Sequence, residues 1–403
     1  MAQNMASENH EYKVLARKYR PKDFTALLGQ EHVIKTLSNE FSSGKIPHAF
    51  IFTGIRGTGK TSLARIIAKA FNCVGADNTN DKPTITPCLS CSVCNDTAKG
   101  IHPDVIEMDA ASKTGIDDVR EIIENCTYTP SSARYKIYII DEVHMLSNSA
   151  FNALLKTLEE PPSHTKFIFA TTEIEKIPLT ILSRCQRFDL HKITVELLTE
   201  FLAKIAGLEG IKFDQESLSL IADVAGGSVR DALSMLDQVQ FLCEQDLKVD
   251  QVRQMLGLTS LNNNFLLLEK ILEGRSKDCL EHISELFIKN VSAQKILGNL
   301  LDSCHILTTY KITDKIAKNL DDTTKEIITK LLEKADISII SRIWQMLLKG
   351  VAELKIAPDQ NKAIEMLVIR ICFLEKNFDF KALALAAKCD SDSDDALKKK
   401  QNQ

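Results

Sequence analysis

Apolar positions fall into two regimes along the chain. From about residue 48 to 190, short continuous apolar runs alternate with stretches whose apolar residues recur every three or four positions. "HAFIFTG" (48–54) predicts a buried strand, and "KTSLARIIAKAFNC" predicts the helix after it. "PDVIEMDAA" (103–111), "YKIYIIDEV" (135–143) and "TKFIFATTE" predict three more strands. "GIDDVREIIENCTY" and "FNALLKTLEEPP" predict helices between them, the second stopped by Pro161 and Pro162. Such alternation implies a mostly parallel sheet covered by helices. The pattern changes after Cys185. Residues 195–243 read as several short helices with a turn at Gly226–Gly227, and from about 250 to 376 only helical spacing remains, as in "NNNFLLLEKILEG" and "RIWQMLLKGVAELK". The last stretch, "CDSDSDDALKKKQNQ", is polar and charged and predicts disorder. No internal repeat is visible.

Composition narrows the class. At 403 residues, 44% hydrophobic and 26% charged, the chain has room for two or three domains of about 100–200 residues each. The N-terminus lacks the apolar stretch of a secretory signal, and no segment approaches the roughly 20 apolar residues of a membrane span. A cytoplasmic protein without membrane contact is the expectation. The net charge is −4. Proteins that coat nucleic acid by general electrostatics are usually basic, so contact with DNA would need a local surface or an assembly. In a reducing compartment the eleven cysteines should be thiols or metal ligands. Cys126, Cys185, Cys243, Cys279, Cys304, Cys372 and Cys389 are scattered and read as small buried hydrophobes. The other four cluster, and "TPCLSCSVC" has the spacing of a metal knuckle.

The chemistry concentrates at strand ends. Gly54-Ile55-Arg56-Gly57-Thr58-Gly59-Lys60-Thr61 fits G-x-x-x-x-G-K-[ST], after a predicted strand and opening a predicted helix, with Ser62 next. Glycines let backbone N–H groups curl around phosphate oxygens, and the helix start adds a positive dipole end. Lys60 would reach the β- and γ-phosphates and the Thr61 hydroxyl would ligate Mg²⁺. "KIYIIDEVHML" runs a strand into Asp141 and Glu142. Asp141 would hold Mg²⁺ through water, and Glu142 would polarise the attacking water. Alone the pair reads as a solvated strand end; about 80 residues after a phosphate loop it does not. A strand also ends in Thr171 and Thr172, where a polar side chain would sit beside the γ-phosphate. Arg184, in Ser183-Arg184-Cys185, could serve a neighbour's nucleotide or be a plain surface arginine. Arg230 in "GGSVRDALSMLDQ" could swing onto the γ-phosphate or pair with Asp231 or Asp237.

Together these residues resemble the AAA+ ATPases. The closer resemblance, over about residues 11–375, is to the motor subunits of the bacterial replicative clamp loader, the gamma/tau family of DNA polymerase III. It rests on "LARKYRPKDFTALLGQEHVIKTL", "HAFIFTGIRGTGKTS", the four-cysteine cluster, "IDEVHMLSNSAFNALLKTLEEPP", "TILSRCQRF" and "GSVRDALSMLDQ". The resemblance implies an α/β P-loop AAA+ domain at 1–186 with an inserted zinc knuckle at 73–94. A small helical lid would follow at 187–247, an all-helical oligomerisation collar at 248–376 and a disordered polar tail at 377–403. It implies zinc on Cys73, Cys88, Cys91 and Cys94, a closed set of four thiolates of the structural kind. The polar, turn-rich loop "VGADNTNDKPTITP" after Cys73 should tolerate insertion. Thr172 looks like the sensor-1 residue, Arg230 like the sensor-2 arginine, and Arg184 like an arginine acting in trans. Tyr19, Arg20 and Pro21 match the segment around adenine and ribose. The implied function is ATP-driven loading of a sliding clamp onto primed DNA, with ATP, Mg²⁺ and Zn²⁺ as cofactors. Implied partners are the other subunits of a hetero-oligomeric ring, the clamp, and primer–template DNA meeting Lys113, Thr114 and Arg120. The polymerase core would join only through a longer form. A non-hydrolysing structural subunit of the same loader tends to lose the loop lysine or catalytic acid, and both are present here. A branch-migration helicase would carry a winged DNA-binding domain, for which no strands are visible. No carboxylate set for nucleotide addition lies outside the ATPase motifs.

Overall fold

The computed structural model describes residues 14–242, 246–247, 249–255, 261–289, 291–313 and 322–374. The expected tail at 377–403, Cys243, Cys389 and the first 13 residues of the expected nucleotide domain lie outside these. The chain divides into two compact units, Met1–Val252 and Arg253–Gln403.

Five strands build the main sheet of the first unit: β1 (Ala49–Thr53), β2 (Val105–Asp109), β3 (Lys136–Asp141), β4 (Thr165–Thr171) and β5 (Gln186–Asp189). All pair in parallel, in the order β2-β3-β4-β1-β5. Every residue of β1 and β4 is buried, as central parallel strands covered on both faces require. Alternate side chains feed two cores. Phe50, Phe52, Ile137, Ile139 and Ile168 pack with α2 (Glu31–Ser43) and α3 (Lys60–Asn72), within a cluster that includes Leu37, Ile66 and Phe71. Ile51, Tyr138, Ile140, Phe167 and Phe169 face the other way, toward Val119 of α5 (Ile116–Cys126) and Phe151 and Leu154 of α6 (Asn148–Glu159). The short helices α1 (Leu15–Lys18), α4 (Ser92–Lys99) and α7 (Leu179–Leu182) complete this part. Register aligns the strand ends: Thr53 lies opposite Thr171, and Asp109 opposite Asp141. The loops after β1, β3 and β4 therefore leave from one edge of the sheet, where ligands of such sheets bind.

β5 corrects the sequence reading, which ends the strand pattern at Cys185. It pairs with β1, Ile51 opposite Arg187 and Thr53 opposite Asp189, and carries the sheet past residue 186. Only Phe188 of its four residues is buried, so this edge strand has no apolar run to announce it. Beyond it, α8 (Val195–Glu209), α9 (Gln215–Val224) and α10 (Val229–Leu242) answer the predicted short helices. A two-residue parallel pair, β6 (Lys212–Phe213) with β7 (Asp246–Leu247), was not predicted. Asp214 caps α9, and Thr194 caps α8 by accepting from Leu197 N–H at 3.4 Å.

Helix α11 (Val249–Met255) crosses the unit boundary. The second unit contains α12 (Leu261–Leu272), α13 (Ser276–Ile288), α14 (Ala293–Thr313), α15 (Asp322–Lys334), α16 (Ile337–Ile356) and α17 (Gln360–Leu374). Phe265, Ile283, Leu300, Leu307, Leu347 and Val368 anchor its core. Its described residues form no strand, as the spacing predicts. Cys126, Cys279, Cys304 and Cys372 are buried and Cys185 half-buried, the behaviour expected of packing cysteines. No described helix is long and apolar enough to cross a membrane.

Candidate functional site

The turn from β1 into α3 holds Gly54, Gly57 and Gly59 at φ +146°, +79° and +101°. Side-chain-bearing residues reach such angles only with strain. At Gly57 space is short as well, because a Cβ there would sit 1.9 Å from Ser228 Oγ. The first turn of α10 thus rests directly on the loop. Ser228 Oγ accepts from Asp231 N–H at 3.2 Å, and Arg230 N–H donates to the Gly57 carbonyl at 3.4 Å.

Lys60 is 5% exposed and its Nζ donates to the carbonyls of Gly54 (2.8 Å) and Ile55 (2.9 Å). Burial lowers its pKa, opposed by the charges of Glu142 and Asp141. Thr61 Oγ1 donates to Asp141 Oδ2 at 2.5 Å, joining the loop to the end of β3. Burial pushes the Asp141 carboxyl up, countered by that hydroxyl and by Glu142 N–H, 3.0 Å from Oδ1. Glu142 sits at φ +46° and ψ +46°, a left-handed conformation costing about 1–2 kcal/mol in a residue with a Cβ. Its Oε2 accepts from Thr172 N–H (3.1 Å) and Thr172 Oγ1 (3.0 Å). Thr172 therefore reaches the site through Glu142.

Seventeen described residues line the resulting cleft, which encloses about 880 Å³ with its open mouth included. They include the predicted Arg56, Gly57, Thr58, Gly59, Lys60, Thr61, Ser62, Asp141, Glu142 and Arg230, together with Tyr19, Arg20 and Pro21. Gly54 and Ile55 contribute the carbonyls that hold Lys60. Arg230 forms no ion pair with a described residue. Arg184 stands apart at the end of α7. Its Nη2 lies 2.5 Å from Glu159 Oε1, and its Nη1 donates to the Thr180 carbonyl at 2.6 Å. Lys113 and Arg120 are exposed near the start of α5, and Arg120 pairs with Asp117 at 3.0 Å.

Sequence reasoning missed His144, Glu209 and the apolar lining of Ala16, Leu27, Val229 and Leu233. The His144 side chain is only 6% exposed. Its Nδ1 lies 3.0 Å from Thr171 Oγ1 and 3.4 Å from Glu142 Oε2, and its Nε2 lies 3.2 Å from Glu173 Oε1. The available signal was its place three residues after Asp141, within one short turn. Glu209, at the end of α8, accepts the Tyr19 hydroxyl and pairs with Lys18 at 2.6 Å. No local spacing could reveal a contact 190 residues apart.

Cys73, Cys88, Cys91 and Cys94 converge at a separate place, their sulfurs all within 4.8 Å of one another. A tetrahedral S₄ zinc site has sulfurs about 3.8 Å apart, so small side-chain movements suffice for the fit. The surrounding chemistry suits thiolates. Cys73 Sγ accepts from Cys88 N–H (3.2 Å) and Gly75 N–H (3.4 Å), Cys88 Sγ from Cys91 N–H (3.3 Å) and Cys91 Sγ from Cys94 N–H (3.4 Å). Cys73 ends α3 and Cys91 starts α4, so the cluster ties the nucleotide-loop helix to the inserted segment. The loop after Cys73 is itself anchored: the Arg134 guanidinium donates to the carbonyls of Phe71 (2.6 Å), Cys73 and Asn80 (3.0 Å).

The chain is similar to DNA polymerase III subunit gamma of Buchnera aphidicola from Schizaphis graminum, at 42% identity over 361 residues, which cover 89% of this chain and 98% of that one. It belongs to the DNA polymerase III gamma/tau family. DNA polymerase III subunit tau of Escherichia coli K12 is 39% identical over 89% of this chain and 55% of its own length. Three family models match in succession. They are described as DNA polymerase III, delta subunit (29–194), DNA polymerase III clamp loader subunit, ATPase lid domain (198–244) and DNA polymerase III subunits gamma and tau domain III (247–384). A Thermotoga maritima RuvB branch-migration motor overlaps with a TM-score of 0.45 at 20% identity, over 63% of this chain and 80% of that one. As gamma/tau relatives are, the chain is a clamp-loader subunit of the AAA+ class.

Proposed function

We propose that this gamma/tau subunit is a motor that binds and hydrolyses ATP between its loop and lid, and spends that hydrolysis on loading a sliding clamp onto primed DNA. The contact between Thr61 and Asp141 supports this most directly, because it brings the phosphate loop and the acidic strand end to one cleft. The loop N–H groups and Lys60 would hold the phosphates. Thr61 and Asp141 would hold Mg²⁺, which supplies charge neutralisation when bound. Glu142, kept in place by Thr172, would orient the attacking water. Arg230 would report the phosphate state to the lid, and Tyr19, Arg20 and Pro21 would pack at the nucleoside end. Orientation and charge supply most of what phosphoryl transfer needs, and these groups provide both.

Arg184 would act on ATP held by the next subunit. It is not among the residues lining its own cleft, and it sits half-buried just past the end of α7, where a neighbour could reach it. Cys73, Cys88, Cys91 and Cys94 would hold a structural Zn²⁺. The reading divides the chain into a nucleotide domain at 1–186, a lid at 187–247 and a collar at 248–376. It places the protein in the cytoplasm, in a ring with other loader subunits, with DNA at Lys113, Thr114 and Arg120. A non-hydrolysing role fits less well, because Lys60, Asp141 and Glu142 share one cleft. The test is ATP turnover in the reconstituted complex, with and without clamp and primed DNA. Turnover stimulated by both, and abolished by Lys60→Ala, is expected. Unstimulated turnover, or turnover that survives Lys60→Ala, would refute it.

A further inference from the structure

A second groove opens beside the nucleotide cleft and shares Ala16, Arg20, Pro21, Ser62 and Arg230 with it. It runs along α3, past half-buried Arg65 and buried Lys69, to Ala98 and Lys99 at the end of α4. Eight of its fourteen described lining residues are Lys or Arg, and none of the fourteen is Asp or Glu. That is a marked local excess in a chain of net charge −4.

Three of the eight are engaged. Lys18 pairs with Glu209 at 2.6 Å, Arg65 makes a two-pronged pair with Glu107 (2.7 and 2.8 Å), and buried Lys69 donates to the Lys22 carbonyl. The other five, Arg17, Arg20, Lys22, Lys99 and Arg230, form no ion pair with a described residue. Partial burial and the charges of Arg65, Arg230 and Arg17 pull the Arg20 pKa down, with Glu107 opposing. Like charges brought together in a concavity repel one another, and the arrangement becomes favourable when a multivalent anion enters. Guanidinium and ammonium groups together suit phosphate oxygens. The apolar lining is Val14, Ala16, Pro21 and Ala98, and none of the described lining residues carries an aromatic ring on which a base could stack. Recognition here is by charge, not by base.

We propose that this groove is a second anion site, taking a short condensed phosphate of the pyrophosphate or tripolyphosphate type next to the bound nucleotide. Because Arg20 and Arg230 face both spaces, the two ligands affect each other's affinity, and they do so equally in both directions. The proposal rests on the nucleotide reading of the adjacent cleft but not on hydrolysis.

The test uses the full chain saturated with Mg²⁺ and a non-hydrolysable ATP analogue, so that the phosphate loop is already filled. Calorimetric titration with tripolyphosphate should then show one further equivalent bound. The double variant Lys22→Glu/Lys99→Glu changes two exposed side chains outside the nucleotide cleft. It should bind the analogue as the wild type does and weaken tripolyphosphate by about tenfold or more. The analogue titration tests the cleft and the tripolyphosphate titration the groove, so failure of either is distinguishable. No further equivalent, or equal tripolyphosphate affinity in the double variant, would overturn the proposal. So would a single-stranded oligonucleotide that displaces tripolyphosphate and binds more tightly, which would assign the groove to a phosphodiester strand.

Discussion

Gly57→Ala tests whether loop and lid act as one device. At φ +79° an alanine costs about 1–2 kcal/mol on backbone grounds alone. Its Cβ would also fall 1.9 Å from Ser228 Oγ, 3.0 Å from Ser228 Cβ and 3.3 Å from Arg230 Cβ. Ser228 Oγ must move, and in moving it gives up the Asp231 N–H at 3.2 Å, a helix cap worth about 1 kcal/mol. The total is about 2–3 kcal/mol against the loop–lid contact. Borne entirely by the nucleotide-bound state, that weakens binding roughly 30- to 150-fold. The assay is calorimetric titration of a non-hydrolysable ATP analogue with Mg²⁺ into Gly57→Ala, Ser228→Ala and the double variant. Removing Ser228 Oγ relieves the 1.9 Å overlap and leaves the backbone cost and the 3.0 Å approach to the Cβ of residue 228, so the double variant should be better than additive by about 1 kcal/mol. Gly57→Ala binding within twofold of wild type would refute the reasoning, as would strict additivity.

Three further outcomes are expected. Metal analysis should find one zinc per chain, and Cys91→Ser should release it; a zinc-free wild type would refute the cysteine assignment. Arg184→Ala should keep ATP affinity within about twofold and lower turnover of the assembled complex by about 10³-fold, the scale of an arginine supplied in trans; full turnover would refute that role. Asp104 is 1% exposed, and although burial alone would raise its pKa, N–H groups of Ser131 (2.8 Å), Ser132 (2.8 Å) and Ala133 (2.9 Å) hold its carboxyl below the usual range. Its contribution is therefore full above the ordinary aspartate pKa of about 4 and lost as pH falls through the depressed folded value. Asp104→Asn should cost about 2–3 kcal/mol in urea unfolding at pH 7 and flatten the acid limb; an unchanged acid limb would contradict this.

How much of the site was legible depended on how local its signals were. The phosphate loop and the acidic strand end each lie in one contiguous stretch, where a strand runs into glycines or carboxylates, and both line the same cleft. The cysteine triple announced itself by spacing, and Cys73 joined it because α3 ends there. What sequence could not give was contact between distant segments. Tyr19 meets Glu209 across 190 residues, and Ser228 fills the space that Gly57 leaves. β5 escaped because an edge strand of four residues buries one side chain. His144 escaped because a histidine after an acid pair reads as solvated until the fold closes around it. The basic groove is invisible in the net charge, since its cations come from α1 and the segment after it, α3, α4 and α10.

The central claim is that Lys60, Thr61 and Asp141 serve one magnesium-bound nucleotide. Titration of a non-hydrolysable ATP analogue into wild type and Asp141→Asn, each with and without Mg²⁺, addresses it most directly. The account predicts that Mg²⁺ tightens wild-type binding by about tenfold or more, and that Asp141→Asn binds like metal-free wild type whether or not Mg²⁺ is present. An equal Mg²⁺ enhancement in both proteins would contradict it.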